Sequence, residues 1–74
     1  MSHDRIARDP TVLMGKPCIK GTRVSVEVIV RRLAVGLSAD QIAAEYPELT
    51  RDDVLAAAAY AAALLRHDGL VAAE

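Results

Sequence analysis

Apolar residues recur at helical spacing in the segment that follows residue 25. Between Val26 and Leu37 they occupy positions 26, 29, 30, 33 and 37, which together form one face of an α-helix. Ser25 is a favourable N-cap for this helix, and Gly36 is typical of a helix end. The pattern therefore predicts a first helix that packs one apolar face against a core.

Two further helices are predicted after this one. Ser38 and Gln41 form the S-x-x-Q pattern of a capping box, which predicts a short second helix to about position 45. The residues at 46–49 include a proline and predict a break. Thr50 then caps a third helix that should end at Asp68-Gly69. The residues predicted for its core face are Val54, Leu55, Ala58, Ala61, Ala62 and Leu65.

The first 25 residues lack helical periodicity. Short β-favouring or apolar runs at 5–8, 11–14, 18–19 and 22–24 are separated by turn residues, so we expect two or three very short strands. The predicted fold class is mainly α: a three-helix, homeodomain-like helix-turn-helix domain with a short N-terminal β element. We expect one domain over 1–74, with strands and turns in 1–25, the helices in 26–69 and a tail at 70–74.

Size and composition indicate how large the core can be and in which compartment the protein is expected. The chain has 74 residues, no Phe and no Trp, so the core must be thin and a second copy of the chain is expected to help stabilise it. The single cysteine, Cys18, cannot form an internal disulfide, which favours a reducing cytoplasm. The polar N-terminus does not resemble a signal peptide, and the longest uncharged run is too short to cross a bilayer. We expect a cytoplasmic protein without a membrane partner.

The charges are divided unevenly along the chain. The net charge is −1, but basic side chains predominate before residue 33 and acidic ones after it. The basic half could meet a polyanion, or the two halves could attract each other or a second copy. If DNA is bound, Thr50 and Arg51 at the start of the third helix are the candidates for base contact. The candidates for phosphate contact are Arg23, Arg31 and Arg32.

Two helices have apolar residues outside their predicted core faces. Val28 and Val35 lie opposite the core face of the first helix, and Ala57, Tyr60 and Leu64 form a second stripe on the third. A short chain has little left to cover such stripes. We therefore predict that they form a homodimer interface or an interface with a partner protein.

Catalytic motifs do not fit the sequence. In the stretch 15–22, Lys20 precedes Gly21, whereas a phosphate-binding loop requires the lysine after the second glycine. Cys18 has no neighbouring histidine that could generate a thiolate. The acidic pair Asp52 and Asp53 is explained by the dipole of the third helix. We therefore expect no enzyme activity, no cofactor and no metal.

Several motifs in order resemble one known protein family. They are R-I-x-x-D-P at 5–10, G-K-P-x-I-x-G-T-R-V at 15–24, G-L-S at 36–38, I-A-x-x-Y-P-x-L at 42–49 and D-V-x-A-A-x-x-Y-A from 53. This set is similar to family 433 of the bacterial domains of unknown function. That family is in turn similar to homeodomain-like helix-turn-helix proteins, and many members look like VapB-type antitoxins.

The resemblance implies a function for the chain. Such an antitoxin is expected to neutralise a PIN-like ribonuclease toxin and, with that toxin, to bind its own promoter DNA as a regulator. The nuclease chemistry would then belong to the toxin. The alternative is a protein-interaction module that binds no DNA, or a homo-oligomeric structural domain.

Overall fold

The computed structural model describes residues 3–67. Two very short strands and a 3-10 turn precede three α-helices, which confirms the prediction of a mainly α fold with an N-terminal β element. The elements are β1 (Ile6–Ala7), the 3-10 turn (Leu13–Gly15), β2 (Cys18–Ile19), α1 (Val26–Ala34), α2 (Ala39–Glu45) and α3 (Arg51–His67).

The two strands form an antiparallel pair in which Ile6 lies opposite Ile19. The two observed strands agree with the expectation of two or three, and the candidate run at 11–14 forms a turn instead. Asp9 Oδ1 accepts a hydrogen bond from the Thr11 N–H at 2.9 Å, which turns the chain, and the Val12 carbonyl accepts one from the Gly15 N–H at 3.0 Å. These local bonds close the run into a turn and leave it no strand partner.

Side-chain caps fix the starts of the first two helices as the sequence predicts. Ser25 Oγ accepts a hydrogen bond from the Val28 N–H at 3.1 Å. Ser38 and Gln41 form a complete capping box, with bonds of 3.1 and 2.8 Å. Gly36 has φ of 102°, a left-handed conformation that glycine adopts without strain and that ends α1.

A capping box also starts α3. Thr50 Oγ1 accepts from the Asp53 N–H at 3.1 Å, and Asp53 Oδ2 accepts from the Thr50 N–H at 2.9 Å. Asp53 is therefore a structural residue, beyond the dipole effect inferred from the sequence. The predicted end of this helix at Asp68-Gly69, and the predicted tail at 70–74, lie outside the described residues.

The core lies where α3 crosses both other helices and the β element. It is formed by Ile19, Val24, Val26, Ile29, Ile42, Leu49, Val54 and Ala57. Tyr60 and Ala61 pack against this cluster, and the exposed positions from 62 to 66 lie beyond it.

The predicted core face of α3 is only partly correct. Leu55 and Leu65 are 44% and 50% exposed, Ala62 is also exposed, and Ala57 is fully buried. Asp53 is buried, where it closes the capping box with Thr50 and meets Arg5, so the buried face of α3 includes position 53. Ala57, which lies one turn after Asp53, is carried into the core with it. None of the helices in residues 3–67 has the length and apolarity needed to cross a membrane.

Candidate interaction surfaces

Arg5 joins the N-terminal segment to the start of α3. Its Nη1 lies 2.9 Å from Oδ1 of Asp53, a carboxylate that also accepts the hydrogen bond from Thr50. Its Nη2 lies 4.0 Å from the exposed carboxylate of Asp52. The pair with Asp53 is held tightly because the Asp53 side chain is only 11% exposed. Arg5 thus fixes the β element onto α3.

The surroundings of Asp53 keep it ionised. Burial raises the pKa of this carboxyl, but the hydrogen bonds from Thr50 and Arg5 outweigh burial and hold the pKa below its ordinary value. A negative charge is therefore fixed at the N-terminus of α3, where the helix dipole favours it.

The two residues predicted to contact bases have intramolecular partners. The hydroxyl of Thr50 accepts the capping hydrogen bond from Asp53. Arg51 is 59% exposed and its Nε lies 3.4 Å from Oδ1 of Asp40. Asp52 follows directly and is exposed, so the start of α3 carries acidic groups on both sides of its one basic side chain. The surface at the start of α3 therefore carries both positive and negative side chains.

The predicted phosphate contacts fall into two groups. Arg31 pairs with Glu27 at 2.9 Å, and Arg32 lies 3.6 Å from Glu45. Tyr46 and Glu45 raise the pKa of Arg32 above its ordinary value. Arg23, by contrast, forms no ion pair within residues 3–67.

Val28 and Val35 line a shallow groove on the outer face of α1. Val35 is 74% exposed and Val28 is 37% exposed. The groove has a volume of about 410 Å³, and its other lining residues are Arg31, Arg32 and Tyr46. The two valines are seven residues apart, so they lie on one line of the helix about 10 Å apart. The structure therefore leaves this predicted contact surface uncovered within the described chain.

The residues of the second predicted stripe, on α3, lie in different environments in the structure. Ala57 belongs to the core, so its assignment to an outer stripe is wrong. Tyr60 is partly buried, and its ring meets that of His3 edge to face at 5.2 Å. Leu64 is 44% exposed and lines a small cavity of about 240 Å³ with Tyr60, His3 and Ala63. Leu64 is thus the accessible member of this stripe.

Another groove lies beside the turn that follows β2. Its volume is about 630 Å³. Ala7, Val12, Cys18 and Ile19 line its apolar part, and Lys20, Arg23, Asp9 and Glu48 supply charges. Cys18 itself is buried, and its thiol donates to the Lys16 carbonyl at 3.2 Å. No group of three or more potential ligand side chains that could hold a metal ion occurs within the described residues.

Two features of these surfaces were not predicted from the sequence. The T-x-x-D pattern at 50–53 is itself a capping-box signal, and it could have identified the inward role of Asp53. The left-handed turn that exposes Met14 was not predicted, because the run at 11–14 was one of four candidates for the two or three expected strands. Only Gly15, which is typical of turns, indicated it.

One family of known proteins matches the chain. The family described as "Protein of unknown function (DUF433)" matches residues 6–61, which is more than half of the 74 residues. The chain belongs to the DUF433 family. No curated protein and no solved structure matches the chain significantly. The matched region of this DUF433 protein includes both strands, α1, α2 and most of α3.

Proposed function

We propose that this DUF433 protein acts by binding, as the antitoxin of a type II toxin–antitoxin pair. Its partner is a PIN-like ribonuclease, which it neutralises by contact, and the complex binds promoter DNA in the cytoplasm. The proposal needs no catalysis by this chain. It draws on the VapB-like resemblance of the sequence motifs, which extend through most of the chain.

Uncovered apolar surface is the observation that carries the binding role. Val35 is 74% exposed, Met14 is 93% exposed, and Leu64 and Leu65 are 44% and 50% exposed. Val28 and Val35 share one groove, and grouped apolar residues on a surface are typical of protein contact sites. We assign the groove of Val28 and Val35, together with Tyr60 and Leu64, to self-association as a homodimer.

The DNA component of the proposal uses α2 and α3 as a helix-turn-helix. Thr50 and Arg51 would then approach the bases, and Arg23, Arg31 and Arg32 the phosphates. The intramolecular ion pairs of Arg31, Arg32 and Arg51 do not prevent this, because exposed ion pairs contribute little energy and can exchange partners.

Those same ion pairs favour a second candidate function. Three of the four predicted arginine contacts already face acidic side chains of their own chain, and Asp52 would be placed near phosphates. A protein-interaction module that binds no DNA would keep these pairs intact. In this alternative the chain still binds its partner protein and forms a homodimer, but it does not bind promoter DNA.

Neutralisation is tested in cells by expressing the PIN-like protein encoded beside this gene with and without this chain. The proposal predicts that the ribonuclease alone stops growth and that co-expression restores it. A neighbouring gene that encodes no PIN-like protein, or a ribonuclease whose toxicity is unchanged by co-expression, would contradict the antitoxin role.

DNA binding is tested by fluorescence anisotropy with the chain's own promoter at two salt concentrations. The regulator predicts sequence-specific binding by the complex that weakens steeply as salt rises. The interaction module predicts no specific binding with or without the partner. Arg51→Gln should reduce the preference for the promoter over an unrelated duplex if α3 reads bases.

A further inference from the structure

One side of α3 carries an apolar stripe that the rest of the described chain leaves open. Its residues are separated by three, four and three positions, the heptad spacing of a helix that packs along another helix. They are Leu55, Ala58, Ala62 and Leu65, and we call them the heptad stripe. Leu55 and Leu65 are 44% and 50% exposed, Ala62 is exposed, and Ala58 is only partly buried. A second helix could therefore lie along this side of α3.

Opposite charges lie at the two ends of the heptad stripe. Asp52 and Arg66 are fourteen residues apart, which is two heptads, so both lie along the same edge of the stripe. Asp52 is 70% exposed and lies 4.0 Å from Arg5. Arg66 is exposed and forms no ion pair within residues 3–67. About 21 Å of helix separates Asp52 from Arg66, so the two side chains do not pair within one chain.

The order of residues in the stripe is complementary to itself when two copies of α3 run antiparallel. In a pair centred on residue 60, Leu55 of each copy lies level with Leu65 of the other, and Ala58 lies level with Ala62. Asp52 of each copy then lies within about 3 Å, along the helix axis, of the level of Arg66 in the other, an offset that an arginine side chain spans.

A parallel pair lacks this complementarity. It would place Asp52 against Asp52 at one end and Arg66 against Arg66 at the other, and like charges repel. It would also align the dipoles of the two helices, whereas an antiparallel pair opposes them. The charges at the ends of the stripe therefore select the antiparallel arrangement.

We infer that a second copy of this chain packs antiparallel along the heptad stripe of α3, with Asp52 of each copy paired to Arg66 of the other. A two-fold axis near residue 60 makes every contact occur twice. The described parts of the two α3 helices overlap from residue 53 to residue 67. Thr50 and Arg51, the residues assigned to base contact, lie outside this overlap.

The surface beside the stripe suits the arrival of a cation. A groove of about 420 Å³ lies between α3 and the N-terminal segment, and Asp4 and Asp52 both line it. Arg5 lines it as well, but its Nη1 is held 2.9 Å from Asp53 Oδ1. The groove thus presents carboxylates at the end of the stripe where the pairing brings Arg66.

This contact goes beyond the homodimer of the proposed function and does not rest on it. That homodimer was assigned to the groove of Val28 and Val35, with Tyr60 and Leu64, whereas the heptad stripe lies on a different side of α3. Two separate two-fold contacts generate a tetramer, and the heptad stripe alone generates a dimer.

The test is sedimentation equilibrium of the purified full chain at micromolar concentrations. Asp52→Arg and Arg66→Asp should each weaken self-association about tenfold, because each removes two attractive pairs and creates two repulsive ones. The double variant, Asp52→Arg with Arg66→Asp, should return to within about threefold of the original chain, because it restores opposite charges at both ends. The separation within one helix means that this rescue requires contact between copies.

A matched pair of alanine substitutions tests the centre of the stripe. Ala62→Asp places a charge where Ala58 of the second copy packs, and it should weaken self-association at least about tenfold. Ala44→Asp makes the same change at an exposed alanine of α2 and should remain within about twofold of the original chain. Circular dichroism checks that all of these variants keep their helices.

The two contacts between copies can fail separately. If the charge variants have no effect, or if the double variant fails to restore association, the antiparallel pairing is wrong, and a loss of association in Val35→Asp alone would support only the homodimer of the proposed function. If the charge variants dissociate the protein and Val35→Asp does not, the pairing stands and the α1 contact falls. A chain that is monomeric at every concentration overturns both contacts.

Discussion

Replacing Asp53 with alanine should destabilise the protein more than any other change at a polar residue of α3. The carboxylate closes the capping box with Thr50 and receives Arg5 Nη1 at 2.9 Å. Asp53→Ala keeps the backbone N–H that the Thr50 hydroxyl caps but removes the bond from the Thr50 N–H to Asp53 Oδ2, and loss of such a bond costs about 1 kcal/mol. Loss of a charged hydrogen bond costs ~1.5–3 kcal/mol, which we reduce to about 1–2 kcal/mol because Arg5 is half-exposed. We expect a total of about 2–3 kcal/mol.

Thermal unfolding followed by circular dichroism measures this effect. For a domain of this size a loss of 1 kcal/mol lowers Tm by roughly 4–8 °C, so Asp53→Ala should lower it by about 10–20 °C. Asp52→Ala is the matched control, because its side chain is 70% exposed and 4.0 Å from Arg5. It should change stability by less than about 0.5 kcal/mol. Equal effects of the two substitutions would refute the junction between Arg5 and α3.

Three further predictions concern stability. The pKa of Asp53 is lower in the folded state than in the unfolded state. Its contribution to the free energy of unfolding is therefore complete above the unfolded carboxyl pKa of about 3.9 and is lost as the pH falls through the lower folded pKa. Denaturant titrations from pH 5 to 2 should show this loss in the original chain and a smaller loss in Asp53→Asn. Met14→Asn should raise the free energy of unfolding by about 0.5–1 kcal/mol, because asparagine adopts φ near 59° with less strain; a lower value in denaturant unfolding would contradict the strained turn. Ile42 is fully buried, so Ile42→Ala should cost about 2–5 kcal/mol, and a cost below about 1 kcal/mol in the same measurement would place it outside the core.

Local sequence signals predicted the helices well because each helix has its own start signal. Ser25, Ser38 and Thr50 cap α1, α2 and α3 through hydrogen bonds to residues three positions later. Such bonds depend only on neighbours in the chain, so the pattern of residue types is sufficient to predict them. The apolar spacing of α1 was equally informative, since Val26 and Ile29 are buried as expected.

The remaining features depend on contacts that local patterns do not contain. The ion pair between Arg5 and Asp53 joins residues 48 positions apart, and Ala57, one turn after Asp53, lies in the core on the same side of α3. The positive φ of Met14 follows from turn hydrogen bonds that override the apolar character of the run. The ion pairs of Arg32 with Glu45 and of Arg51 with Asp40 likewise join residues on different helices.

Inhibition of the PIN-like ribonuclease in solution is the most direct test of the proposed function. RNA cleavage by a fixed amount of the purified ribonuclease would be measured while this chain is added in increasing amounts. The antitoxin role predicts that activity falls in proportion to the added chain and stops at a fixed molar ratio. Full ribonuclease activity in the presence of excess folded chain would contradict it.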